Sequence, residues 1–252
     1  MRTPTELGAR AEAMLAELAA FTDDDSNLTR LYLSPAHRAA ADRVAEWMRG
    51  AGLDVGSDGL GTVRGRLKPT ARGRTGNRRV LIGSHIDTVV NAGRYDGMLG
   101  VVAGILAAEE IRARGIELPF GVDVLAFGDE EGVRFPTTLV SSSAVAGCLV
   151  PSDLDARDAD GVVLREALLA FGGDPNAVAS AAYAHEEALA YLEVHIEQGP
   201  VLEAEGLPIG IVTSIAGQSR FSVTVTGEAG HAGTVPMPLR RDALAASAEM
   251  ML

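Results

Sequence analysis

The stretch Arg79-Val80-Leu81-Ile82-Gly83-Ser84-His85-Ile86-Asp87 reads as a short apolar strand that closes on an imidazole and a carboxylate. A second run, Gly121 to Phe127, has the same buried-strand character and leads into Gly128-Asp129-Glu130-Glu131-Gly132. Between them, Gly97 to Arg114 carries Val, Ile, Leu and Ala as a long helix would. A third strand, Tyr191 to Ile196, lies in Leu192-Glu193-Val194-His195-Ile196-Glu197-Gln198. Strands alternating with helices at this spacing predict an α/β domain with a mixed, mostly parallel sheet covered by helices. In open sheets of this kind, ligand sites form beyond the carboxyl ends of the strands, where loops converge.

That placement gives the polar residues a chemical reading. In a strand, residues two apart share a face, so His85 and Asp87 can be neighbours, the acid fixing the imidazole tautomer while the other ring nitrogen binds a cation. Asp96 stands before Gly97 at the mouth of the long helix, where it could cap the helix or bridge two ions. Asp129, Glu130 and Glu131 would repel one another at the rim of a core. One could ligate metal while a neighbour acts as general base. His195, beside Glu197 and Gln198, supplies a second imidazole. Imidazole and carboxylate without thiolate suit zinc, manganese, cobalt or nickel, and two such ions are expected. His231, in Gly230-His231-Ala232-Gly233-Thr234, reads on its own as a loop histidine.

The rest of the chain sets bounds. Its 252 residues are 47% hydrophobic and 22% charged, enough for a sizeable core. A formal charge of −12 argues against nucleic acid or an anionic membrane as partner. The single cysteine, Cys148, excludes an intramolecular disulfide and is expected as a small buried residue. No apolar run approaches the roughly 18 residues of a membrane span, and Glu6, Glu12 and Glu17 do not suit a signal peptide. A soluble cytoplasmic protein is the expectation.

Helices are expected over 5–20 and 35–51, a hairpin-like strand pair over Leu53–Leu67, and a helix near Ser142–Cys148. Residues 151–189 read as helices and loops. Arg64 to Arg79 holds seven basic residues and reads as a solvated loop. After Pro208 the pattern changes: Ile209–Ile215 and Arg220–Thr226 alternate in period two, as in an antiparallel sheet with one exposed face. A domain boundary is therefore placed near Leu207, giving residues 1–207 and 208–252. The alanine-rich helix from Arg241 has no stop signal, so a truncated chain is expected, with both domains incomplete.

Five segments together resemble the hydantoinase/carbamoylase family: Gly83 to Thr88, Gly93 to Gly97, Asp129 to Pro136, His195 to Glu203, and Gly230 to Thr234. This family comprises binuclear metal amidohydrolases acting on N-carbamoyl-L-amino acids, allantoate or 3-ureidopropionate, within the aminoacylase and carboxypeptidase-like metallopeptidases. The resemblance implies a zinc-peptidase-like catalytic domain followed by the start of an α+β lid and dimerisation domain, in a homodimer. It assigns His85, Asp96, Glu131 and His195 as ligands of two divalent ions (zinc or manganese, with cobalt or nickel as alternatives), with Asp96 bridging. Asp87 matches the orienting acid, Glu130 the general base, and Gln198 and Gln218 the substrate side. His231 matches a lid histidine that reaches the partner subunit's site and steadies the oxyanion. The implied reaction is attack of activated water on a ureido carbonyl, releasing the amino acid or ureido product, CO₂ and ammonia. An aminoacylase or dipeptidase of the same clan, or an inactive metal-binding fragment, stands as the alternative. The family's final ligand histidine and substrate-carboxylate arginine have no counterpart here, and Val235 stands where a second threonine is common.

Overall fold

A strand buried along its whole length organises the first part of the molecule. The computed structural model describes residues 2–71, 76–217, 219 and 221–251. Gly121–Phe127 (β4) is buried at every position, and its side chains alternate between two apolar clusters. Val124 and Ala126 join the larger cluster, while Leu125 and Phe127 join a smaller one with Leu81 and Val145. Period two is what a strand covered on both faces requires.

The other strands are Asp54–Ser57 (β1), Val63–Leu67 (β2), Arg79–His85 (β3) and Ala188–Leu192 (β5), in the order β1-β2-β4-β3-β5. β3 is parallel to both β4 and β5, whereas β2 pairs antiparallel with β1 and β4. The sheet is therefore mixed with a parallel core, as the alternation of strands and helices predicts.

Three helices build most of the covering layer. Pro4–Ala19 (α1) opens on a capping box: Glu6 N–H donates to Thr3 Oγ1 at 3.2 Å, and Thr3 N–H donates to Glu6 Oε2 at 2.7 Å. Pro35–Gly50 (α2) starts from Ser34, whose Oγ accepts His37 N–H at 3.0 Å. Met98–Ala113 (α3) is apolar on nearly all sides because it lies between α1 and the β3–β4 sheet. Val140–Val145 (α4) and Leu164–Phe171 (α5) follow β4; α5 ends on Gly172, whose φ is 83°.

Several expectations need correction. The helix expected near Ser142–Cys148 is α4, Val140–Val145, and Cys148 beyond its end is exposed rather than buried. The left-handed turn at Gly147, with φ of 73°, swings the chain outward after a helix too short to carry the cysteine inward. The basic stretch is no uniformly solvated loop: Arg64 and Arg66 lie in β2, Arg79 in β3. Arg64 is buried, 2.8 Å from Asp58 Oδ2, and Arg79 lies 2.6 Å from Asp123 Oδ1, so their charges serve ion pairs. β5 ends at Leu192 instead of running to Ile196, because its ladder with β3 stops at Ile82↔Leu192.

The chain divides into compact units Met1–Gln198 and Gly199–Leu252. In the second unit lie Val201–Glu205 (α6), a single 3₁₀ turn at Met237–Leu239, and Ala243–Met251 (α7). Glu228 N–H donates to the Arg241 carbonyl at 2.9 Å, and Arg240 Nε to the Val235 carbonyl at 3.0 Å. The antiparallel strands expected over Ile209–Ile215 and Arg220–Thr226 are not formed among the described residues. A strand of alternating residues holds only when its backbone is paired and its apolar face covered. Here Ile211 is 92% exposed and Phe221 87%. Among the described residues, no helix is long and apolar enough to cross a membrane.

Candidate metal centre

At the carboxyl edge of the parallel core, four chain segments bring their polar side chains together. β3 delivers His85, Ile86 and Asp87, all buried. The Ile86 N–H donates to the Phe127 carbonyl at 2.9 Å, which extends the β3–β4 pairing past the last strand residue. His85 Nδ1 lies 3.0 Å from the Asp87 carbonyl oxygen and 3.5 Å from Asp87 Oδ1. Since a carbonyl can only accept, Nδ1 carries the hydrogen and Nε2 faces the cleft. His195 repeats the arrangement, its Nδ1 lying 2.9 Å from the Ile196 carbonyl.

Both Nε2 atoms face Asp96. Asp96 Oδ1 is 3.2 Å from His195 Nε2 and 3.9 Å from His85 Nε2, and the two rings lie 6.0 Å apart. Gln198 Nε2 donates to the other oxygen of Asp96 at 2.7 Å. Asp96 caps no helix with its side chain; the N-cap of α3 is Gly97, with φ of 65°. A Cβ on Gly97 would overlap the His85 ring, so only glycine lets the helix start this close to the imidazole.

The loop after β4 brings the remaining carboxylates. Asp87 accepts the backbone N–H of Glu130 at 3.2 Å and of Glu131 at 3.1 Å, tying the loop to the end of β3. Glu130 Oε2 lies 3.8 Å from His85 Nε2. Ligand atoms of His85, Asp96 and His195 fall within 4.8 Å of one another, as do those of His85, Glu130 and Glu131.

The ionisable groups of this assembly shift one another strongly. Burial alone would lower the His85 pKa, but the hydrogen bond to Asp87 and the charges of Asp87 and Glu130 raise it to about 9. Burial raises Glu131; His85 opposes this, while Glu130, Asp96 and Asp87 add to it. Asp87 stays below the usual carboxylate range: its burial is outweighed by His85 and by the Glu131 N–H. A divalent cation between these groups would replace the extra imidazole proton and relieve the carboxylate repulsion, so the donor set fits a metal centre.

Behind the centre, Arg30 and Glu193 had no role assigned from sequence, and Asp129 was read only as one of three mutually repelling acids. Arg30 is wholly enclosed and donates to the carbonyls of Ile86 (2.6 Å), Leu18 (2.7 Å) and Phe21 (2.8 Å). Asp129, also enclosed, adopts φ of 61° and accepts Thr137 Oγ1 at 3.3 Å; burial and the Asp87 charge raise its pKa to about 8. Glu193 accepts Ser84 Oγ at 2.7 Å. The buried arginine left no trace in sequence, since arginine defaults to the surface. Of the other expected residues, His231 belongs to the second unit, where its Nδ1 accepts Gly233 N–H at 3.1 Å, and Gln218 lies outside the described residues.

Known proteins share this fold. Residues 81–251 match the profile of Peptidase family M20/M25/M40. The chain is 45% identical over 242 residues to a probable allantoate deiminase of Oryza sativa subsp. japonica, covering 94% of this chain and 49% of that protein. It is 44% identical over 245 residues to an N-carbamoyl-L-amino acid amidohydrolase of Geobacillus stearothermophilus, covering 97% and 59%. The crystal structure of a hydantoinase/carbamoylase family amidase from Burkholderia ambifaria superposes with a TM-score of 0.79 at 36% identity, over 97% of this chain and 59% of that one. The chain spans about half the length of the curated relatives it matches. It belongs to the M20/M25/M40 family, in the hydantoinase/carbamoylase branch.

Proposed function

We propose that the protein hydrolyses the linear amide C–N bond of N-carbamoyl or ureido substrates, such as N-carbamoyl-L-amino acids or allantoate, with two divalent metal ions at the described centre. The observation that carries this reading is the convergence of two Nε2 atoms on Asp96, with Glu130 and Glu131 alongside. The chain is about equally similar to relatives named for each substrate, which supports the class and leaves both substrates for trial.

In this reading His85, Asp96, Glu131 and His195 would hold the two ions. When bound, the ions polarise the scissile carbonyl and lower the pKa of water. Asp87 orients His85 and fixes the Glu130–Glu131 loop. Glu130 is the base: its carboxylate removes a proton from the attacking water and returns it to the leaving nitrogen. Gln198 holds Asp96 through its amide and stands on the substrate side, with Gln218 assigned there too. His231 accepts a backbone N–H at Nδ1, so Nε2 carries hydrogen and can donate to an oxyanion. A homodimer in a cytoplasmic setting completes the reading.

The test is a substrate panel on the protein supplemented with zinc or manganese: N-carbamoyl-L-amino acids, allantoate and 3-ureidopropionate against N-acetyl-amino acids and dipeptides. Ammonia release confined to the ureido compounds supports the proposal. Turnover of the acetylated or peptide substrates alone overturns it.

A further inference from the structure

We infer that Glu193 is a positioning residue for His195, acting as a side-chain clamp where the sheet ladder ends. β3 pairs with β4 as far as His85↔Phe127, but its pairing with β5 stops at Ile82↔Leu192. The last three residues of β3 therefore run past β5 without a backbone partner on that side, and His195 stands beyond the end of its own strand. Backbone hydrogen bonds hold His85; none within the ladder holds His195.

Glu193 fills this gap. Its Oε1 accepts the hydroxyl of Ser84, the residue preceding His85, at 2.7 Å. Its Oε2 accepts the hydroxyl of Tyr191 at 3.0 Å, and Tyr191 Oη lies 3.2 Å from the Gly83 carbonyl. One carboxylate thus joins the residue before the first histidine to the segment that carries the second. Charge-assisted O–H···O⁻ bonds are among the stronger protein hydrogen bonds, and both are made to the same anion. α3 closes the third side: a Cβ on Gly100 would collide with the Val194 carbonyl oxygen and with Ser84 Cβ. The backbone at Val194 therefore packs against the helix start beside the β3 end, with the solvent-facing Glu193 as the polar anchor of the segment. The spacing of 6.0 Å between the His85 and His195 rings depends on this clamp.

The inference rests on the reading of the centre as a metal site, and its test separates the two. Apparent zinc affinity is measured by competition with a chromogenic chelator, and the cobalt(II) d–d spectrum is recorded, for wild type, Glu193→Ala, Glu193→Gln, Ser84→Ala and Ser84→Ala/Glu193→Ala. Glutamine keeps an oxygen for Ser84, whereas alanine keeps nothing. Glu193→Ala and Ser84→Ala should each weaken zinc binding by about tenfold or more and alter the cobalt spectrum, as loss of an orienting partner does. The double variant should be no weaker than the weaker single variant, because both remove one interaction. Glu193→Gln should stay within about threefold of wild type. The metal-free melting temperature of Glu193→Ala should stay within about 3 °C of wild type. Unchanged zinc affinity and cobalt spectrum in Glu193→Ala would overturn the clamp. A wild-type protein that takes up neither zinc nor cobalt would overturn the metal reading itself, and the clamp with it.

Discussion

Asp87 Oδ2 lies 3.1 Å from the backbone nitrogen of Glu131 and accepts its hydrogen. With Glu130 N–H on the other oxygen, a single carboxylate locks the turn after β4 onto the end of β3. The ionised form suits this task, since a carboxylate offers only acceptors. An amide in its place would set an N–H₂ group against one backbone N–H. Asp87→Asn is therefore expected to lower zinc affinity by about 10- to 100-fold while the far-ultraviolet spectrum stays native. Chelator competition measures the first and circular dichroism the second; wild-type affinity would show that Asp87 does not organise the loop.

Glu130 and Glu131 are neighbours with different expected roles. Glu130→Gln should abolish ureido turnover, by about 100-fold or more, with metal content preserved. Glu131→Gln should lose metal. Elemental analysis beside a turnover assay checks both, and the reverse pattern would exchange the assignments of base and ligand.

Arg30 is the enclosed cation that holds the chain behind His85 and Asp87. Burial lowers its pKa to about 10, against the opposing charges of Asp87 and Asp23, so it stays charged at neutral pH. Arg30→Met would leave the carbonyls of Leu18, Phe21 and Ile86 without this donor, at about 1–3 kcal/mol for each group left unsatisfied. Urea unfolding should show a loss of at least about 3 kcal/mol, with Arg30→Lys between variant and wild type. A midpoint equal to that of wild type would contradict this role.

His37 predicts an acid limit to stability. It is buried, stacks on Phe171 at 5.0 Å and accepts Leu33 N–H at Nδ1. Burial lowers its pKa from 6.5 to about 4, helped by Arg30 and opposed by Asp87. The unfolded chain therefore binds a proton below about pH 6.5 that the folded chain refuses until about pH 4. Stability should fall by about 3 kcal/mol as pH drops through that window. His37→Asn, which keeps an acceptor and cannot titrate, should remove this part of the slope in pH-dependent urea unfolding. An unchanged slope would exclude His37 as its source.

The sheet core was legible because β3, β4 and α3 carry their signals locally: apolar runs of strand length bounded by Gly and acid, and a helix of apolar residues. The pairing of Leu53–Leu67 was equally plain, since Gly breaks and alternation mark β1 and β2. Features that depend on distant partners were not. β5 stops at Leu192 because its ladder with β3 ends there, which the sequence of β5 cannot show. Arg30 and Glu193 look like ordinary surface charges until the groups they bind, 56 and 109 residues away, are in place. Ile209–Ile215 shows the converse: period two alone does not make a strand without a partner to pair with.

In the proposed centre His85, Asp96, Glu131 and His195 would gather around divalent cations. The most direct test is elemental analysis after zinc saturation and removal of free metal, with wild type and His195→Ala side by side. The account predicts two zinc ions per wild-type chain and the loss of at least one in the variant. Wild-type protein emerging without bound metal, or a variant with the full wild-type complement, would contradict it.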